Sequence, residues 1–223
     1  MLTPLLIAAV VGYLLGSLPF GYLVARAKGV NIFEVGSKNP GATNVRRVLG
    51  NGPGNLVLIL DAAKGAAATF APWGYRLLTK DGARVTGEPA LNATDYGYLA
   101  IAGLLGALLG HSFSCFTKFR GGKGVATGAG GFMVLFPLGA GIAFVVFATA
   151  LAITRYVSLA SMLAAVSLPF AAFSFTRPRD PVMISVSAAV AVFVIFRHRA
   201  NITRLRAGTE SKIGQKKTDA SAT

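Results

Sequence analysis

The chain predicts an all-α protein: a polytopic transmembrane helical bundle of seven spans, amino terminus outside and carboxyl terminus in the cytoplasm. Three observations predict it. Of 223 residues, 53% are hydrophobic and 13% charged, against about 25% charge in soluble domains. Mean hydropathy is +0.60, and the apolar residues come in blocks long enough to cross a ~30 Å hydrocarbon layer. Lysine and arginine are unevenly shared among the segments between those blocks, as cytoplasmic loops demand. The net charge of +14 would suggest nucleic acid in a soluble protein. In a membrane protein it is the expected excess of inner-loop cations, and no nucleic-acid partner is predicted.

The first span is Leu2–Ala25. No positive charge precedes it and it exceeds a signal-peptide core, so it is expected to stay in the membrane. Arg26 and Lys28 follow it and set its orientation. The second span, Asn55–Leu78, carries Asp61 and Lys64 at i, i+3 spacing, read as an intramembrane pair that registers the helix. A polar loop, 79–95, leads to the third span, Tyr96–Ser112. Residues 125–153 would make a helix of about 43 Å at 1.5 Å per residue, and Pro137 divides them into 125–136 and 138–153. Val157–Phe175 and Pro181–Phe196 complete the seven. In this topology 16 of the 22 lysines and arginines lie inside and five outside, Arg177 and Arg179 running against the rule. Residues 1–214 read as one integral membrane domain, and 215–223 as a disordered polar tail. The single cysteine, Cys115, excludes an internal disulfide. No metal-ligand constellation is readable and no cofactor is implied. The sequence sets no oligomeric state.

Three polar segments fall on the predicted cytoplasmic face. Residues 36–47, Gly-Ser-Lys-Asn-Pro-Gly-Ala-Thr-Asn-Val-Arg-Arg, gather hydroxyls (Ser37, Thr43), amides (Asn39, Asn44) and guanidiniums (Arg46, Arg47). That density of donors between glycines suits a phosphate better than a plain turn. The second segment is Gly110-His111-Ser112, then Phe119-Arg120-Gly121-Gly122-Lys123-Gly124-Val125-Ala126-Thr127. Glycine-flanked Lys123 before an apolar helix suits an anion. It is not a nucleotide P-loop, because Thr117 stands where that motif needs glycine. Basic loops also meet lipid headgroups, and the third segment, His198 to Lys212, reads equally as a basic tail lying on anionic lipid. Asn201 and Glu210 add nothing to lipid binding.

Taken in order, these segments resemble the three motifs of the bacterial acyl-phosphate:glycerol-3-phosphate acyltransferases (PlsY type). The first motif includes Gly16-Ser17-Leu18-Pro19-Phe20-Gly21 with 36–47. The third includes His198, Asn201-Ile202, Arg204-Leu205, Gly208, Glu210 and Lys212-Ile213-Gly214. Lys38 departs from the pattern, where the family often has glycine. The resemblance implies transfer of a fatty acyl group from acyl phosphate to the sn-1 hydroxyl of glycerol 3-phosphate, at the cytoplasmic face of the bacterial inner membrane. It implies that Ser37, Arg47 and Lys123 hold phosphate oxygens. Asn39, Thr43 and Asn44 would shape the first pocket, and Gly121, Gly122 and Gly124 would let backbone amides approach the acyl phosphate. His198 and Asn201 would bind glycerol phosphate, with Glu210 beside them. Ser161, in a segment that also resembles the family, is a hydrogen-bond partner of the site or a packing residue. His111 is a candidate general base or a structural residue. The competing reading is an organic-phosphate transporter, which would place its donors near the bilayer midplane, commonly in repeated halves. Here they cluster at one face.

Overall fold

The computed structural model describes residues 1–78, 92–176 and 179–214. Most of the 79–95 loop, Arg177 and the 215–223 tail lie outside the described residues. Among the described residues ten α-helices run in order: α1 Leu2–Ser17, α2 Phe20–Arg26, α3 Ala42–Leu49, α4 Asn51–Leu78, α5 Ala93–Ser112, α6 Val125–Leu135, α7 Pro137–Thr154, α8 Val157–Phe175, α9 Pro181–Arg197 and α10 Arg199–Arg206. No strand is found among the described residues. Five stretches are long and apolar enough to cross a membrane: Leu2–Arg26, Asn51–Tyr75, Ala93–Thr117, Pro137–Thr154 and Val157–Phe175. The pair α9 and α10, bent by 59°, makes a sixth if counted as one span. The α6 helix has 11 residues, about 16 Å at the usual rise.

Several boundaries differ from the sequence reading, each for a local reason. The first apolar block is broken at Leu18–Pro19 into α1 and α2, because proline removes a donor from the helical ladder. The second span begins earlier, at Asn51, since Pro53 falls in the first turn where its missing N–H costs nothing. The third begins at Ala93, where Asn92 and Asp95 form a reciprocal capping box at 3.0 and 2.9 Å. The division at Pro137 is as expected.

The helices gather into two compact units, Met1–Ala140 and Gly141–Thr223. In the first, α1 packs along α5 and α6 along α4. Small residues make this possible: a Cβ on Gly16 would strike the Ala107 backbone, and one on Gly65 the Thr127 carbonyl. Lipid offers little hydrophobic drive between helices, so close backbone approach supplies the packing. A small core of Ala25, Ile32, Phe33, Val45 and Val57 pins residues 30–50 to α2 and α4. Burial of such side chains is worth about 1.5–3 kcal/mol each. In the second unit α8 packs on α9.

Candidate active site

The segment 31–50, expected as a polar loop, contains α3. Gly41 precedes this helix and Gly50, at φ +90°, ends it. Its inner face carries Asn44 and Val45, 2% and 0% exposed. Thr43 and Arg47, one turn apart, stand on its exposed side, and Ser37 is exposed in the preceding loop. Asn44 shapes that loop. Its Oδ1 accepts the Ser37 amide at 2.8 Å and its Nδ2 donates to the Val35 carbonyl at 3.1 Å. Gly36 sits at φ +60° directly over Asn44, where a Cβ would collide with its Oδ1. Asn39 closes the next turn, its Oδ1 accepting the Gly41 amide at 2.9 Å. No described residue hydrogen-bonds the side chains of Thr43 or Arg47. Arg46 instead donates to Asn55 on α4.

The second polar segment is a 3-10 turn, Cys115–Thr117, followed by a left-handed passage through Lys118 and Phe119 at φ +54° and +59°. It meets the first segment twice. Asn39 Nδ2 lies 3.5 Å from the Gly121 carbonyl, and Arg120 reaches the Phe33 carbonyl at 3.4 Å with its guanidinium 4.5 Å above the Phe33 ring. The second segment is also tied to α1: Ser114 Oγ donates to the Ser17 carbonyl at 2.6 Å, and Tyr13 Oη to the Phe113 carbonyl at 2.8 Å. The Gly122 amide donates to the His111 carbonyl at 3.0 Å, and a Cβ on Gly122 would collide with the His111 ring. Gly124, at φ +80°, caps α6, and Lys123 stands half-buried just before it.

Beneath the two segments lies a narrow cleft with about 20 Å³ of room, floored by Asp61, Lys64 and His111. Lys64 Nζ is 2.8 Å from Asp61 Oδ1, as the i, i+3 spacing suggested. Two further facts were not legible in that spacing. Lys64 also donates to the Leu18 carbonyl at 2.8 Å, exposed by the α1–α2 break, and His111 Nδ1 lies 3.6 Å from Asp61 Oδ1. The pair therefore belongs to the site's floor as well as to helix registration.

In the second unit Glu210 is the centre. It accepts from Ser158 Oγ at 2.7 Å, Asn201 Nδ2 at 2.6 Å and Arg204 Nε at 2.6 Å. Burial raises its pKa, but those hydrogen bonds and the Arg204 charge outweigh this and hold the carboxyl below its ordinary value. His198 is 2% exposed with Nδ1 2.8 Å from the Val194 carbonyl. A carbonyl can only accept, so that nitrogen carries the proton. Ser161 donates back to the Val157 carbonyl at 2.8 Å. Ser158, one turn earlier on α8, is the hydroxyl that engages Glu210. The sequence pointed to Ser161 alone, since the rotation of α8 that turns Ser158 toward Glu210 is not written in it.

The apolar stretches, small-residue helix contacts and polar helix ends define an integral membrane protein. A family model described as glycerol-3-phosphate acyltransferase matches residues 6–208. The chain is 45% identical to the glycerol-3-phosphate acyltransferase of Desulforamulus reducens over 92% of this chain and 94% of that one. It is 42% identical to that of Fusobacterium nucleatum over 91% and 95%. Its fold matches the crystal structure of PlsY, an integral membrane glycerol 3-phosphate acyltransferase in its glycerol 3-phosphate form, with TM-score 0.78, 34% identity and coverage of 94% and 96%. The lysophosphatidic acid form matches with TM-score 0.75. The chain belongs to the glycerol-3-phosphate acyltransferase family.

Proposed function

We propose that this acyltransferase takes its acyl group from acyl phosphate and passes it directly to the sn-1 hydroxyl of glycerol 3-phosphate. The products are lysophosphatidic acid and inorganic phosphate, and the step is the first acylation of bacterial phospholipid synthesis. The observation that carries this reading is the junction of the two donor-rich segments through Asn39–Gly121 and Arg120–Phe33. It brings the segment bearing Ser37, Thr43 and Arg47 beside the segment that leads into Lys123 and α6. Glycerol 3-phosphate and lysophosphatidic acid forms of a solved relative support the acceptor and the product.

Acyl phosphate is already an activated mixed anhydride. The acceptor oxygen attacks the acyl carbonyl, the carbonyl–phosphate C–O bond breaks, and the departing phosphate takes the hydroxyl proton. Ser37, Arg47 and Lys123 stabilise the phosphate charge, and holding the hydroxyl near the carbonyl supplies proximity. His198 and Asn201 are assigned to glycerol phosphate. Glu210, whose carboxylate is engaged by three protein donors, is assigned to orienting Asn201. His111, with its ring packed against Gly122, is assigned to supporting that loop in preference to acting as base. No acyl-enzyme forms. The chain makes seven passes of the bacterial inner membrane as one domain, 1–214, with its catalytic segments and carboxyl terminus in the cytoplasm. The skew of lysine and arginine supports this topology.

Purified protein in detergent, given glycerol 3-phosphate and either acyl phosphate or acyl-CoA, tests the reading. Lysophosphatidic acid and equimolar phosphate are expected from acyl phosphate alone. Product from acyl-CoA alone would overturn the donor assignment, and phosphate-ester uptake into vesicles without chemistry would favour a transporter.

A further inference from the structure

We propose that Asp61 is a positioning residue for the Gly121–Lys123 loop, acting through His111, and that Lys64 performs the matching task for the α1–α2 break. This rests on the reading that the loop holds a substrate phosphate. The buried pair joins three elements. Lys64, 5% exposed, fastens α4 to the Leu18 carbonyl where Pro19 interrupts the helical ladder. The residues just beyond that break touch the first polar segment, since a Cβ on Gly21 would collide with the Pro40 carbonyl. Asp61, 2% exposed, faces the His111 ring at 3.6 Å, too far for a hydrogen bond but well within electrostatic reach. The His111 ring lies against Gly122, and its own carbonyl takes the Gly122 amide. One carboxylate thus fixes the ring on which the second loop rests, and its partner cation fixes the break from which the first loop departs.

A buried pair of this kind is costly to desolvate and is not by itself a source of stability. Helix registration needs only the Asp61–Lys64 contact. It does not require the carboxylate to face a histidine beneath Gly122, nor the cation to reach a third helix. The arrangement has the form of a floor that fixes the two loops relative to one another.

The test separates positioning from scaffolding. Single substitutions leave a buried charge uncompensated and are expected to destabilise the protein. The near-isosteric double variant Asp61→Leu/Lys64→Met removes both charges and should recover the wild-type melting temperature. If Asp61 positions the loop, the recovered fold still shows a KM for acyl phosphate raised about tenfold, with kcat within about threefold. Amide hydrogen exchange across 120–124 should be faster while the middle of α5 is unchanged. Wild-type KM and loop exchange in the double variant would overturn the proposal. Should that variant not fold, Asp61→Asn, which keeps the shape, is read by the same loop exchange, and unchanged exchange there overturns the proposal equally. Lys123→Ala is measured alongside. Unchanged KM in that variant would refute the phosphate-binding reading itself, whereas a raised KM there with none in the Asp61 variants would refute only the inference about Asp61.

Discussion

In the first unit, the hydroxyl of Thr43 and the guanidinium of Arg47 stand on the exposed side of α3, with Ser37 exposed nearby, and Asn44 behind them is buried and fully engaged. In the second unit, a similar set of hydroxyl, amide and guanidinium from Ser158, Asn201 and Arg204 converges on one protein carboxylate. Residue type alone does not distinguish these clusters; the destination of the donors does. Where a carboxylate of the chain engages them, they are held in one geometry, as the orienting role proposed for Glu210 on Asn201 requires. Where they face outward from a rigid frame, they are open to the phosphate proposed above. The comparison also divides the first cluster, since Asn44 is buried and hydrogen-bonded to the loop while Arg47 is exposed, although they lie three residues apart.

The largest effect that would break this comparison is at Arg47 and Lys123. Arg47→Ala and Lys123→Ala should each lower kcat/KM by roughly 10²–10³-fold, as expected for loss of a cation on a developing phosphate charge. For Arg47→Ala the melting temperature should not change. Glu210→Ala should do the reverse in emphasis. It strands the Ser158 hydroxyl and Asn201 amide and should destabilise by about 2 kcal/mol, measured by thermal or denaturant unfolding. Arg204, whose side chain is 38% exposed, adds little to that figure.

The same carboxylate gives a pH signature. Its folded pKa lies below the ordinary 4.5, so its stabilising contribution is fully present above 4.5 and is lost as pH falls through the lower folded value. The stability gap between wild type and Glu210→Gln should therefore hold constant from pH 7 down to that range and close only below it. A gap closing between pH 6 and 7 would contradict the assignment.

Cys115 sharpens the topology. It is the single cysteine and is exposed. An impermeant thiol reagent should label it in inverted membrane vesicles and not in intact cells. Labelling from outside would reverse the proposed orientation. The smallest effect concerns Lys38, which adopts φ +56°, a conformation that costs a non-glycine residue about 1–2 kcal/mol. Part of that gain is returned through the unfolded chain's entropy. Lys38→Gly should stabilise by about 0.5 kcal/mol, read as a slightly higher denaturation midpoint.

Much of the fold was legible because membrane physics writes it in composition. Long apolar blocks, the break at Pro137 and the intramembrane Asp61–Lys64 pair follow from hydropathy and from the cost of lone charges in lipid. The short α3 was missed because eight residues make little more than two turns, although Val45, Val48 and Leu49 recur at helical spacing and Gly41 and Gly50 bracket it. The site was legible as residue types and motif order. Its division of labour was not, because it depends on helix rotation and chain approach. Ser158 rather than Ser161 meets Glu210, the Gly122 amide goes to His111, and Lys64 finds the Leu18 carbonyl only because Pro19 exposes it. The Lys38 departure from the family's glycine acquires a reason only once its backbone angle is known.

The most direct test is a calorimetric titration of acyl phosphate, without acceptor, into detergent-solubilised wild type, Arg47→Ala and Lys123→Ala, each checked for an intact fold. The account predicts at least about thirtyfold weaker binding in each variant, the scale of a lost charge-assisted phosphate contact. Wild-type affinity in both would contradict it, since the two segments would then be ordered without holding the substrate's phosphate.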